Sequence, residues 1–173
     1  ENARPAFVAA DLLAQAEHDT QAQAVLVTSS RTLAQAVVEQ VHAQMARLSR
    51  NAVLQESVRA ARCIVVKDLD AAVDVSNEYA PEHLIVHTRD PRALLPRIQH
   101  AGSIFLGEWT PEPMGDYCSG TNHVLPTYGY ARAYSGLSLD DFVKRITVQE
   151  LTPDGLRALG PVAVTLAELE GLD

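Results

Sequence analysis

"RCIVVKDLDAAVDVSNEYAPEHLIVHT", residues 62–88, holds the alternation that decides the fold. Residues 62–68 centre on the apolar run Cys63–Val66 with its β-branched Ile64, Val65 and Val66, which predicts a strand. Residues 69–79 predict a connecting helix, which Pro81 breaks. "HLIVHT" (83–88) is a strand again. Strand, helix and strand in that order favour a parallel sheet with helices on its faces. The same alternation extends in both directions. Upstream, Pro5 suits the first position of a helix over 5–17, with Phe7, Val8, Leu12 and Ala16 on one side. "AVLVTSS" (24–30) predicts a strand. Ser29 and Ser30 can cap a helix over 31–48 that carries Leu33, Val37, Val41 and Met45 at spacings of four. A short helix is expected over 52–60. Downstream, "DPRALLPRIQ" (90–99) predicts a short helix with Asp90 as cap, and "GSIFLG" (102–107) a fourth strand. The expected class is α/β, with a mostly parallel sheet, flanking helices and a helical segment at the carboxyl end.

After Gly107 the alternation stops. Residues 108–137 are rich in proline, glycine and aromatics, Trp109 included, and carry no hydrophobic period. A loop this long in a compact domain is usually functional, and the aromatics argue for an ordered one. "KRITVQEL" (144–151) alternates like an edge strand. Thr152 and Pro153 start a last helix, expected to be interrupted near Gly160-Pro161 and to run out at Asp173. Two parts follow: an α/β segment over 1–137 with a site-forming loop at 108–137, and an edge strand with a helical segment over 138–173. The chain stops within a helical pattern, which suggests a fragment.

Composition narrows the function. Of 173 residues, 47% are hydrophobic and 21% charged, as in an ordinary globular domain. Aromatics are only 5%, so the core must come from Ala, Val, Leu and Ile. A net charge of −8, with Lys67 and Lys144 as the lysines, argues against a nucleic-acid partner, which needs a basic stripe. The apolar runs are far too short for a membrane span of about 20 residues. Glu1 and Asp11 interrupt "ENARPAFVAADLL", so it does not read as a signal peptide. Cys63, at the opening of an apolar strand, is expected to be a buried thiol. With Cys118 so distant in sequence, no disulfide framework is expected, and a reducing cytoplasm is the better compartment.

The residues able to do chemistry are scattered. Gln15 and His18 lie three apart on a helix and share a face, which suits a shared ligand or merely a solvated helix end. Glu82 and His83 follow Pro81 at the start of a strand. They are either a cap and a polar first residue or a carboxylate beside a general base. Asp116 and His123 lie in "GDYCSGTNHVLPTYGY" (115–130), where glycines give the backbone freedom to bring an oxygen and a nitrogen donor to zinc. There is no HExxH, CxxC or Walker pattern. His42, His87 and His100 read as structural.

Together, "DLLAQAEHD", "SNEYAPEHLI", "AGSIFLGEWTPEPMGDYCSGTNHVLPTYGYAR" and "FVKRITVQELT" stand in the order and spacing of histidinol dehydrogenase. The resemblance runs from about Pro5 to Asp173 and covers the carboxyl-terminal part of such an enzyme. It implies an incomplete Rossmann-like sheet and an NAD-dependent, four-electron oxidation of L-histidinol to L-histidine through histidinal, with zinc positioning the substrate. It further implies a cytoplasmic homodimer of histidine biosynthesis that exchanges site residues between subunits. Carried over by position, Gln15, His18 and Asp116 resemble zinc ligands. Glu82 and His83 resemble the catalytic pair, with His83 as base and Glu82 helping to activate water. Gln15, His18, His83, Asp116, His123 and Glu170 resemble substrate contacts, Glu170 acting across the dimer. The family's fourth zinc ligand, a histidine, would fall two residues past Asp173, and most nicotinamide contacts would precede Glu1. The resemblance therefore implies a piece that is inactive alone. A non-catalytic binding or structural module that keeps the fold is the other reading.

Overall fold

A computed structural model describes residues 3–172. It divides into two compact units, Glu1–Ser138 and Leu139–Asp173.

In the first unit, α1 (Pro5–Ala16), α2 (Arg31–Met45) and α3 (Asn51–Ala60) surround the core. Val8, Ala9 and Val37 form one buried cluster between α1 and α2. Leu13, Ala16, Ala24 and Leu54 form another, where α3 joins them. Small Ala9 and Ala16 let the helices approach closely, the economy expected of a chain poor in aromatics. Starts are set as the sequence predicts: Pro5 opens α1, and the Ser30 hydroxyl accepts from the Leu33 N–H at the head of α2. Asp68 caps α4 (Leu69–Tyr79) in the same way.

The strands β1 (Val25–Thr28), β2 (Arg62–Val65), β3 (His83–Val86) and β4 (Ser103–Leu106) are all in parallel pairings. They make two separate pairs among the described residues, β1–β2 and β3–β4, rather than one continuous sheet. In the pair that positions the site, His83 lies opposite Ser103 and Val86 opposite Leu106.

Several expectations are corrected. Cys63 is exposed, not buried, because β2 has one ladder partner and turns Arg62, Cys63 and Val65 to solvent. The helix expected over 90–99 is a 3-10 helix over Arg92–Arg97. Asp90 does cap it, but Pro96 inside it has no N–H for an α-helical bond. The loop 108–137 contains a short helix, α5 (Glu112–Tyr117), and a 3-10 turn at Tyr130–Arg132.

In the second unit, residues 144–151 form no strand. An alternating segment needs a ladder partner, and no other strand lies in that unit among its described residues. The last helix, α6 (Pro153–Leu169), begins at a Thr152 cap as expected but runs unbroken through Gly160 and Pro161. None of its residues is buried.

Candidate active site

The site is built around the start of β3. Helix α4 ends at Ala80, which takes a left-handed conformation (φ 52°) and bonds its N–H to the Ser76 carbonyl at 2.8 Å. Pro81 prevents any continuation. The Glu82–His83 step is then bolted to the start of β4: Gly102 N–H donates to the Pro81 carbonyl and Ser103 N–H to the Glu82 carbonyl, each at 2.9 Å. A Cβ on Gly102 would sit 2.6 Å from the Glu82 carbonyl oxygen, so only glycine permits this approach.

Helix α5 supplies the opposing wall. Glu112 and Asp116, four apart, lie on one face. Gly115 between them lets the helix lie against the Phe105 ring, 2.6 Å from where a Cβ would be. The Thr121 hydroxyl donates to the Gly115 carbonyl at 3.1 Å and ties the following loop back. Phe105 in turn packs on the His83 ring, with centroids 5.9 Å apart.

Helix α1 closes the arrangement. Gln15 Oε1 lies 3.0 Å from His83 Nδ1. The other ring nitrogen, Nε2, faces Glu112 Oε1 at 3.4 Å. His83 and Glu112 expose only 11% and 3% of their side chains, so the contact is removed from water. Asp116, equally withdrawn, meets His123 Nδ1 at 3.4 Å, and His123 is exposed. The ligand atoms of His83, Glu112 and Asp116 all lie within 4.8 Å of one another.

Electrostatics follow from this crowding. Burial raises the Glu112 carboxyl to about 7, helped by the Asp116, Glu82 and Asp11 charges. Burial also raises Glu82, with Asp116 adding to it and His18 and His123 opposing. His83 is lowered, chiefly by burial; Asp116 works against that shift, and His18 and His123 add to it. The groups acting on these residues are thus carboxylates and imidazoles.

Gln15, Glu82, His83 and Asp116 share this locality, and His18 acts on Glu82 and His83 through its charge. His18 is not on a helical face with Gln15, however. Helix α1 ends at Ala16, whose carbonyl accepts from the buried Ser57 hydroxyl at 2.7 Å, and exposed His18 follows in a turn. Glu170 lies in the second unit, exposed, at the C-cap of α6. His87, just after β3, has its Nε2 3.0 Å from Asp11 Oδ2 of α1. A groove of about 470 Å³, lined by Asp74, Asn77, Arg97 and Arg132 among others, contains none of these residues.

Sequence reasoning missed Glu112. Reading 108–137 as a loop hid the helix that puts it one turn before Asp116. Pro111 followed by an acidic residue is a helix-start signal that could have revealed it.

This architecture is not confined to this chain. The histidinol dehydrogenase family model matches residues 1–173. A histidinol dehydrogenase of Vibrio cholerae serotype O1 is 57% identical over 173 residues, covering 100% of this chain and 40% of the relative. That of Yersinia pestis is 52% identical over 170 residues, covering 98% of this chain and 38% of the relative. The crystal structure of histidinol dehydrogenase from Elizabethkingia anophelis superposes with a TM-score of 0.94 at 45% identity, covering 98% of this chain and 39% of that one. The chain thus spans about two-fifths of the length of these relatives. Matched from its first residue to its last, the chain belongs to the histidinol dehydrogenase family.

Proposed function

We propose that this chain forms the base-and-metal side of an active site that oxidises L-histidinol to L-histidine through histidinal. The observation that carries the reading is the histidine held between Gln15 Oε1 at 3.0 Å and a buried carboxylate at 3.4 Å, with Asp116 alongside. His83 is the proton acceptor. Burial holds it below its usual range, so it is neutral and ready to take the carbinol proton near pH 7. Glu82, adjacent and raised by burial, handles the proton of the water that adds to the aldehyde. His123, exposed and anchored on Asp116, is a substrate contact on the open side.

The residues fit a divalent cation. Glu82, Glu112 and Asp116 crowd together away from water, and the nearness of Asp116 to Glu112 helps raise the Glu112 carboxyl. Gln15, His18 and Asp116 offer the oxygen and nitrogen donors that suit zinc and would hold it. Bound there, zinc would orient and polarise the substrate. NAD⁺ would accept hydride at each oxidation; no residue of this chain is assigned to it.

A cytoplasmic homodimer is part of the same reading, with Glu170 reaching a partner's site. It is supported by α6, which leaves Leu156, Leu159, Val162, Leu166 and Leu169 more than half exposed. Neither a nucleic acid nor a membrane is a partner.

The test is histidinol-dependent NADH formation by the full-length gene product. Turnover is expected, and His83→Asn should lower kcat by about 10²–10⁴-fold, the usual worth of a general base, while zinc stays bound. No turnover in the parent protein, with zinc present, would contradict the reading and leave a non-catalytic module.

A further inference from the structure

We propose that His87 and Asp11 are a positioning pair: their contact sets helix α1 against β3 so that Gln15 meets the His83 ring on the metal side of the site. The inference rests on the role proposed above for Gln15 as a zinc ligand. It gives a task to a histidine that the sequence reads as structural, and to an aspartate to which neither pattern nor resemblance gives one.

Helix α1 has two unlike sides. Its buried residues Val8, Ala9, Leu13 and Ala16 pack in clusters with Val37 of α2 and Leu54 of α3. Toward β3 it turns polar groups instead. Gln15 Oε1 lies 3.0 Å from His83 Nδ1, and Asp11 Oδ2 lies 3.0 Å from His87 Nε2. Asp11 and Gln15 are four apart in α1, so they share a helix face. His83 opens β3 and His87 follows its end, an even number of residues on, so both rings leave the strand on one side. The earlier helix residue meets the later histidine, so α1 runs against the direction of β3.

One such contact would leave α1 free to pivot or slide, and two at separate points fix both. A slide of one helical turn moves a side chain about 5.4 Å, enough to carry Gln15 off the His83 ring. Of the two contacts, His87–Asp11 is the anchor. It sets an imidazole N–H on a carboxylate, a stronger kind of hydrogen bond than one between neutral groups. Both side chains are withdrawn from water, at 11% and 13% exposure. His87 Nδ1 is buried with no hydrogen-bond partner among the described residues, so Asp11 is the polar contact that orients this ring. The Gln15–His83 contact is the one that must rearrange when Gln15 serves a metal and His83 a substrate. Partners that hold a ligand-bearing element in this way are usually worth about 10–100-fold in metal affinity or activity.

The test measures zinc affinity by chelator competition in the full-length gene product, with NADH formation followed in the parent. His87→Leu and Asp11→Ala should each weaken zinc at least about tenfold. His87→Gln keeps an N–H that can reach Asp11, and Asp11→Asn keeps a carbonyl that can accept from the ring, so each should recover most of that loss. Asp11→Asn also separates position from charge, because the Asp11 charge acts on Glu112. In a Gln15→Ala background, adding His87→Leu should weaken zinc by less than about threefold, since the pair works through Gln15. Unchanged zinc affinity in folded His87→Leu would overturn the proposal. So would an equal loss in both backgrounds, the mark of general loosening, or an Asp11→Asn as weak as Asp11→Ala, the mark of charge alone. If His87→Leu and Asp11→Ala fail to fold, Asp11→Glu decides. It keeps the charge but lengthens the arm by one methylene, so it should still weaken zinc at least about threefold, and parent-like affinity would overturn the proposal. A parent that binds no zinc and forms no NADH would instead remove the role of Gln15, and the proposal with it.

Discussion

A carboxyl group raised to about 7 inside a protein is a stability element as well as a chemical one. Glu112 sits above its unfolded value of 4.5, so the folded state binds its proton more tightly than the unfolded one. That contribution is complete below about pH 4.5 and is lost as the pH rises through about 7. His83, lowered by burial, acts oppositely: its contribution is present above 6.5 and lost as the pH falls. A direct comparison isolates Glu112. In metal-free protein, the melting temperature of Glu112→Gln relative to the parent should climb steadily between pH 4.5 and 8, because glutamine stays neutral while the parent carboxyl ionises. A difference that does not change with pH would show that Glu112 is an ordinary carboxylate. A bound cation would reverse the slope in the parent by favouring the charged form.

At the scale of elements, the scaffold under the site is the α1–α2–α3 packing. Leu54 of α3 is fully buried at 0% exposure against Leu13, Ala16 and Ala24. Leu54→Ala should therefore cost about 2–5 kcal/mol, measured by urea unfolding of the protein. A cost below about 1 kcal/mol would mean that α3 is not a core element. These helices and the four strands were readable because each is decided locally, by Pro5, Ser30 and Asp68 at helix starts and by short β-branched runs. Other features were not local. Residues 144–151 alternate like a strand, but a ladder needs a partner that the sequence of the segment cannot supply. Cys63 stands in an apolar run, yet its burial depends on what covers β2. Helix α5 has only six residues and no hydrophobic period to announce it. Its position depends on Gly115 meeting Phe105 across more distant chain. Gln15, Glu82, His83 and Asp116 came from resemblance, since no spacing rule joins residues so far apart. Glu112 lay in the supposed loop, where Pro111 before an acidic residue was the one local cue to its helix.

Over the whole molecule, the first unit draws side chains from α1, β3 and α5 into one water-poor cluster of carboxylates and imidazoles. Each element is tied in separately: α1 by Ser57 at its end, β3 by the ladder to β4, and α5 by Gly115 on Phe105. The carboxylates of the cluster are opposed only by imidazoles, with no Lys or Arg among the groups that act on them. That imbalance is the physical reason for assigning a cation to it. Anomalous diffraction at the zinc edge, from crystals of the full-length gene product, tests this most directly. The account predicts one strong peak about 2.0–2.2 Å from an Asp116 carboxylate oxygen and from Gln15 Oε1, with the His18 ring turned toward it. A zinc-loaded crystal with no peak beside Asp116, or with its peak outside the Gln15–His83–Asp116 cluster, would contradict it.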